Sequence, residues 1–144
     1  MSDEQRHRPG RGRSSKRCGD PPPARLRRGV EQFNRGEFFE QHETLELEWL
    51  EERDPVRYLY QGILQIGVGF EHLRRGNARG AAQLWRRGIS YLEPFKGGCM
   101  RVDVARLVAD TERCLAELDR VGDDVLEHFD RSMIPRLEWL EEPP

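Results

Sequence analysis

The chain has 144 residues, 35% charged and 36% hydrophobic, with a mean hydropathy of -0.83. That length suits one domain able to bury a core, and so polar a composition excludes a protein built from long membrane-spanning helices. Charge is unevenly placed: residues 1–28 hold nine Arg/Lys and three Asp/Glu, residues 29–144 hold fifteen and twenty-three, so a basic start precedes an acidic body.

The first segment has almost no apolar side chains and is rich in Arg, Gly, Ser and Pro. It cannot bury enough surface to offset chain entropy, so residues 1–23 are expected as a disordered Arg/Pro-rich tail, with Pro21–Pro23 a stiff spacer. Its arginines could meet RNA, DNA or acidic proteins, although no aromatic is interleaved for base stacking. The remainder reads as helix: a bundle domain over 24–120, then a C-terminal helix and docked extension over 121–144. Leu26, Val30 and Phe33 share a face of a first helix over 24–35, which Gly36 ends in a left-handed cap. A second helix covers 37–52. Asp54-Pro55 restarts the chain with an N-cap and a proline at the first helical position, and a third helix runs to about Arg75. Gly76-Asn77 closes it. A fourth covers 78–95, 96–100 is a loop, and Asp103 caps a fifth to about Arg120. A shorter sixth follows from Asp123 to about Arg131. The apolar end, with Ile134, Leu137, Trp139 and Leu140, should dock on the bundle. Trp85 and Trp49 are placed for the core. Arg74, Arg75, Arg79, Arg86 and Arg87 make a solvated basic edge, and the acidic body argues against a nucleic-acid surface there.

The longest apolar-rich stretch, "YLYQGILQIGVGF", spans 13 residues with two glutamines and reads as a buried helix rather than a membrane span. On it, Leu59, Ile63, Ile66, Phe70 and Leu73 share one side. Gln61, Gln65, Val68 and His72 form a polar stripe. Tyr60, Gly67, Glu71 and Arg74 fall on the expected solvent side. Gly62 and Gly69 should admit a close helix, with Gly80, Ala81 and Ala82 as the approaching residues. Cys18, Cys99 and Cys114 are widely spaced, form no CxxC pair and no disulfide framework, and point to a reducing cytoplasm. No apolar run near the start reads as a signal peptide.

The stretch "FFEQHETLELEW" poses the functional question. With Phe39 at 0° and about 100° per residue, Glu46 falls near -20°, Leu50 near 20°, Glu43 near 40°, His42 near -60° and Trp49 near -80°. Polar groups thus share an expected core face, where a carboxylate must find a partner or lose its charge. His42, Glu43 and Glu46 are expected to converge with Gln61, Gln65 and His72 in one partly buried site. Three uses stay open. His42 and Glu46, one turn apart, are a two-ligand metal clip, with Glu43 or His72 as further ligands and the glutamines orienting them. His42 beside a carboxylate could move a proton or hold a small ligand. Or the cluster is a hydrogen-bond network that fixes helix register.

The ordered matches Phe33-Asn34-x-Gly36, Phe39-Glu40-x-His42-Glu43, Leu45-Glu46-x-x-Trp49, Gln61-Gly62, Gly76-Asn77 and Gly80-Ala81 resemble domain-of-unknown-function family 309, found in bacteria and archaea. The resemblance covers about residues 30–107. It implies an all-helical bundle without assigned activity, and a hallmark of histidine, glutamate four later and an aromatic three after that, here His42, Glu46 and Trp49. The hallmark has been suggested to bind metal. The expectation is therefore an all-α bundle of five or six helices that holds a divalent metal ion or small polar ligand through His42, Glu46, Glu43 and His72, supported by Gln61, Gln65, Trp49 and Glu40. The alternative is a non-enzymatic interaction or assembly module, a homo-oligomer among its forms, without membrane insertion and with nucleic acid reached only by the basic tail.

Overall fold

The protein is described from residue 15 to residue 141 in a computed structural model. Six α-helices follow in order: α1 (Ala24–Asn34), α2 (Phe38–Glu51), α3 (Arg57–Arg74), α4 (Ala78–Leu92), α5 (Val104–Val121) and the single turn α6 (Val125–His128). Three 3-10 turns, Lys16–Gly19, Glu93–Phe95 and Arg131–Met133, punctuate them. Among the described residues there is no strand, only the bridge pairs Cys99–Val102 and Val102–Trp139. The all-α bundle expected from periodicity is the fold.

Local signals set the boundaries. Gly36 (φ 74°) and Gly76 (φ 78°) turn the chain in the left-handed region after α1 and α3, where a side chain would be strained. Asn77 Oδ1 accepts from Gly80 N–H (2.9 Å) and Asp103 Oδ1 from Arg106 N–H (3.2 Å), capping α4 and α5. Asp54 behaves differently from expectation. Its Oδ1 accepts from Val56 N–H at 2.8 Å within a turn, and α3 begins only at Arg57.

The core gathers around α3. Tyr60, Ile63, Ile66 and Phe70 are buried, and Phe70 meets Phe38 of α2 (centroids 5.6 Å), Phe33 of α1 (6.2 Å) and Trp85 of α4 (4.7 Å). The expected close approach of α3 and α4 occurs with different partners. A Cβ on Gly62 would lie 3.1 Å from the Gly88 carbonyl, and one on Gly88 would lie 2.9 Å from the Gly62 carbonyl. Gly69 is covered by the Trp85 indole and the Ala81 carbonyl. Of the residues expected opposite these glycines, Ala81 takes part; Gly88 and Trp85 replace Gly80 and Ala82.

Two terminal segments complete the body. Ser15–Pro23, expected within the disordered tail, is tied down instead; residues 1–14 of that tail lie outside the described residues. Ser15 bonds Asp54, Arg17 pairs with Glu52, and Cys18 forms a disulfide with Cys99 across 81 residues of sequence. The wide cysteine spacing concealed this pair, because the α4–α5 loop folds back onto the start of the chain. The Cys18 carbonyl also accepts from Met100 N–H (2.8 Å), beside Met100 and Arg101, which hold left-handed φ values of 47° and 67°. Cys114 remains a free, buried thiol, and burial pushes its pKa up to about 12, so it stays protonated and unreactive. No helix among the described residues is long and apolar enough to cross a membrane.

Leu137 of the C-terminal segment is held by a device that composition did not reveal. The Asn34 side chain donates to the Leu137 carbonyl (3.0 Å) and accepts from Leu137 N–H (2.7 Å), and Leu137 is buried. Trp139 and Leu140 stay exposed. Glu117 of α5 anchors the preceding turn: it accepts from Arg120 (2.7 and 2.8 Å) and from Asp130 N–H (3.0 Å). These donors hold its pKa at about 2, below its ordinary 4.5. A depressed carboxylate stabilises above its unfolded pKa and loses that contribution as pH falls through the folded one. Between pH 4.5 and about 2 the 125–134 segment should therefore loosen. The protection of the Asp130 amide, relative to its intrinsic exchange rate at each pH, should fall over that interval in the wild type, and should already be low at neutral pH in Glu117→Gln.

Candidate functional site

Helix α2 is rotated relative to the sequence expectation. Its buried stripe is Phe38, Gln41 and Leu45, while Phe39, Leu47 and Leu50 point outward. Phe38, not Phe39, is the core phenylalanine, with its ring edge-on to Phe33 (5.3 Å) and stacked on Phe70. Tyr60 and Gly67, assigned to solvent, are buried where α2 packs. Gln41 lies over Gly67, and in its best-satisfied orientation donates to the Ile63 carbonyl (3.2 Å) and accepts from His42 N–H (3.0 Å). This fully buried amide joins α2 to α3, and sequence reasoning missed it. Its one signal was Gly67, a helix-interior glycine that makes room for a neighbour's side chain.

The polar contacts of the residues expected in one site are local, each with a near neighbour in sequence. His42 Nε2 and Glu46 Oε2 are 3.3 Å apart, one turn from each other, with side chains 39% and 44% exposed. Glu43 and Glu40 are exposed on the same helix. Gln65 Nε2 donates to Gln61 Oε1 (2.9 Å) along α3. His72 Nδ1 accepts from the Asn77 amide (3.1 Å) beyond the end of that helix. Among the described residues, no hydrogen bond or ion pair joins His42, Glu43 or Glu46 to Gln61, Gln65 or His72. The physical reason is the rotation of α2: its inward contact with α3 is made by Phe38 and Gln41, which leaves the His42–Glu46 stripe at the edge.

Trp49 belongs to a different arrangement at the α2–α3 junction. The Arg57 guanidinium lies 3.8 Å from the Trp49 ring centroid and donates to the Trp49 carbonyl (3.2 Å). Trp49 is edge-on to Tyr58 (5.3 Å), and Tyr58 stacks on Tyr91 of α4 (5.6 Å). Burial raises the Tyr91 pKa. The cluster ties three helices together at one end. Beneath it Gln61 is buried, and Arg57 Nε and Gln65 Oε1 are enclosed without a protein partner. Arg57, Tyr58 and Tyr91 were not singled out by sequence; only the i to i+7 spacing of His42 and Trp49 pointed toward this edge.

The donor set decides what the His42–Glu46 pair can hold. A protein zinc site takes three or four side-chain ligands. Among the described residues no group of three or more His, Cys, Asp or Glu is disposed to hold an ion. One imidazole and one carboxylate, both half in water, do not by themselves fit a resident divalent ion. They do fit a surface ion pair whose strength depends on His42 being protonated.

A family model described as a domain of unknown function, DUF309, matches residues 26–84. The matched stretch runs from α1 into α4 and includes the whole of α2. It ends at residue 84, short of residue 107, to which the resemblance was expected to extend. No curated protein matches the chain.

Proposed function

We propose that the chain, whose residues 26–84 match the DUF309 family model, is an interaction module whose docking surface is the outer face of α2. One observation carries this reading. Phe39, Leu47 and Leu50 are 57%, 51% and 64% exposed, and helical spacing sets them within an arc of roughly 80°. Single exposed apolar side chains are ordinary; three on one stripe of one helix form a patch that association would cover.

The rest of the face sets the partner's chemistry. Glu40, Glu43 and Glu46 flank the apolar stripe, helix α2 has no Lys or Arg, and Glu48 and Glu51 are already paired with Arg25 (3.6 and 2.6 Å). A second copy on this face would oppose like charges, which disfavours a homodimer through α2. The complementary occupant is an amphipathic segment with leucine-sized side chains and Arg or Lys at helical spacing. The His42–Glu46 clip closes one edge. A divalent ion enters this reading only as a bridge, with the docked chain supplying the ligands that the clip lacks.

The test is titration of a designed leucine/lysine amphipathic peptide, followed by fluorescence anisotropy, with a leucine/glutamate peptide as control. Only the basic peptide should bind, and more weakly as salt rises. Phe39→Ser with Leu50→Ser should weaken it at least tenfold while leaving stability within about 0.5 kcal/mol, since both side chains are exposed. Equal binding by the double variant would sink the docking reading, and so would a stable dimer of the free chain that the same substitutions dissolve.

A further inference from the structure

A cavity of about 140 Å3 lies between the aromatic core and the C-terminal extension. Phe38 of α2, Phe70 and Leu73 of α3, Val125 of α6, and Phe129 and Ile134 beyond it form its apolar walls. Its polar lining is Arg74, at the end of α3, and Arg131, on the 3-10 turn after α6; both are exposed. Half of this lining lies outside the family match, so the cavity is built jointly by the matched stretch and by residues beyond it.

The size and the two guanidinium groups together define a ligand. An apolar cavity of about 150 Å3 is enough to hold a benzene-sized molecule. The Arg74 guanidinium is fixed at the rim: it lies 4.8 Å from the Phe38 ring centroid and donates from Nη2 to the Gly36 carbonyl (2.6 Å). Its Nη1 is 3.5 Å from Glu71, but that carboxylate is shared with Arg75 (3.6 Å). Arg131 lines the same cavity and adds a second positive charge to it. Guanidinium groups recognise a carboxylate by charge-assisted, often bidentate, hydrogen bonds. A cation would be repelled here, and a neutral body would fill the walls but ignore the rim.

We propose that this cavity binds a small monocarboxylic acid with an apolar body about the size of a benzene ring, seated among Phe38, Phe70 and Phe129 with its carboxylate toward Arg131 and Arg74. The site is independent of the outer face of α2: Phe38 faces inward, and none of Phe39, Leu47 or Leu50 lines it.

Calorimetric titration of the full chain with benzoate, and with benzamide as the uncharged match, tests this. Benzoate should bind saturably with one site per chain, and benzamide at least about tenfold more weakly. Arg131→Gln, an exposed change expected to leave the circular dichroism spectrum intact, should weaken benzoate about tenfold and leave benzamide unaltered. Ile134→Trp, which fills the cavity, should remove both. Absence of saturable benzoate binding at millimolar concentration overturns the proposal. So does benzamide binding as tightly as benzoate, or an Arg131→Gln protein with unchanged benzoate affinity.

Discussion

Truncating Trp85 to alanine should destabilise the protein by about 3–5 kcal/mol, the range for a large aromatic removed from a packed core. Trp85 is fully buried, lies against Phe70 at 4.7 Å and Phe129 at 6.4 Å, and covers the backbone of α3 at Gly69. Its loss would open a hole on three sides at once: toward α3, toward the aromatic core, and toward the C-terminal extension. The close contact of Gly62 with Gly88 limits collapse, since those backbones already touch. Phenylalanine at the same position separates two contributions. The indole Nε1 is buried without a hydrogen-bond partner, and an unpaired buried N–H costs about 1–3 kcal/mol. Trp85→Phe loses ring volume but removes that unpaired donor, so it should cost clearly less than Trp85→Ala. Urea unfolding of the three proteins measures both differences. Equal losses for Phe and Ala would mean that the indole donor is satisfied in solution.

The bundle was legible because helices declare themselves locally. Apolar spacing, the Gly36 and Gly76 turns and the Asp103 cap each act within a few residues, and each appears where the sequence places it. Facing was harder. Helix α2 offers two adjacent phenylalanines, and choosing Phe39 over Phe38 as the core residue turns the whole wheel by about 100°. That single choice put His42, Glu43 and Glu46 inside and Gln41 outside, whereas Gln41 is the buried amide and Phe39 is exposed. Gly67 could have corrected it, because a glycine on a supposed solvent face has no local reason to be there. The short-range part of the site, His42 and Glu46 one turn apart, was readable. The long-range part was not, since convergence across two helices depends on the rotation of both. The Cys18–Cys99 pair and the Asn34–Leu137 clamp failed for the same reason: separations of 81 and 103 residues leave no periodic trace.

Cys18→Ser, or reduction of the wild type, should lower stability by about 2–4 kcal/mol. A cross-link stabilises mainly by shortening the unfolded ensemble, and more for a longer loop. This one spans 81 residues of sequence, for which loop entropy alone gives somewhat more than 4 kcal/mol. The measured loss should fall below that figure, because the same segment keeps other ties. Ser15 bonds Asp54, Arg17 pairs with Glu52, and the Cys18 carbonyl accepts from Met100 N–H. What the cross-link adds locally is restraint on Cys99, Met100 and Arg101, where two non-glycine residues sit at positive φ. Once reduced, that loop should gain the freedom to leave the left-handed region, and amide exchange at Met100 should accelerate before global unfolding. Cys114→Ser supplies the contrast: the thiol takes no part in the bridge, so the variant should keep its full sensitivity to reduction. Thermal melts with and without reductant distinguish the cases. If oxidised and reduced wild type melt together, the noncovalent ties alone hold Ser15–Pro23 on the body, and the bridge contributes nothing to the fold.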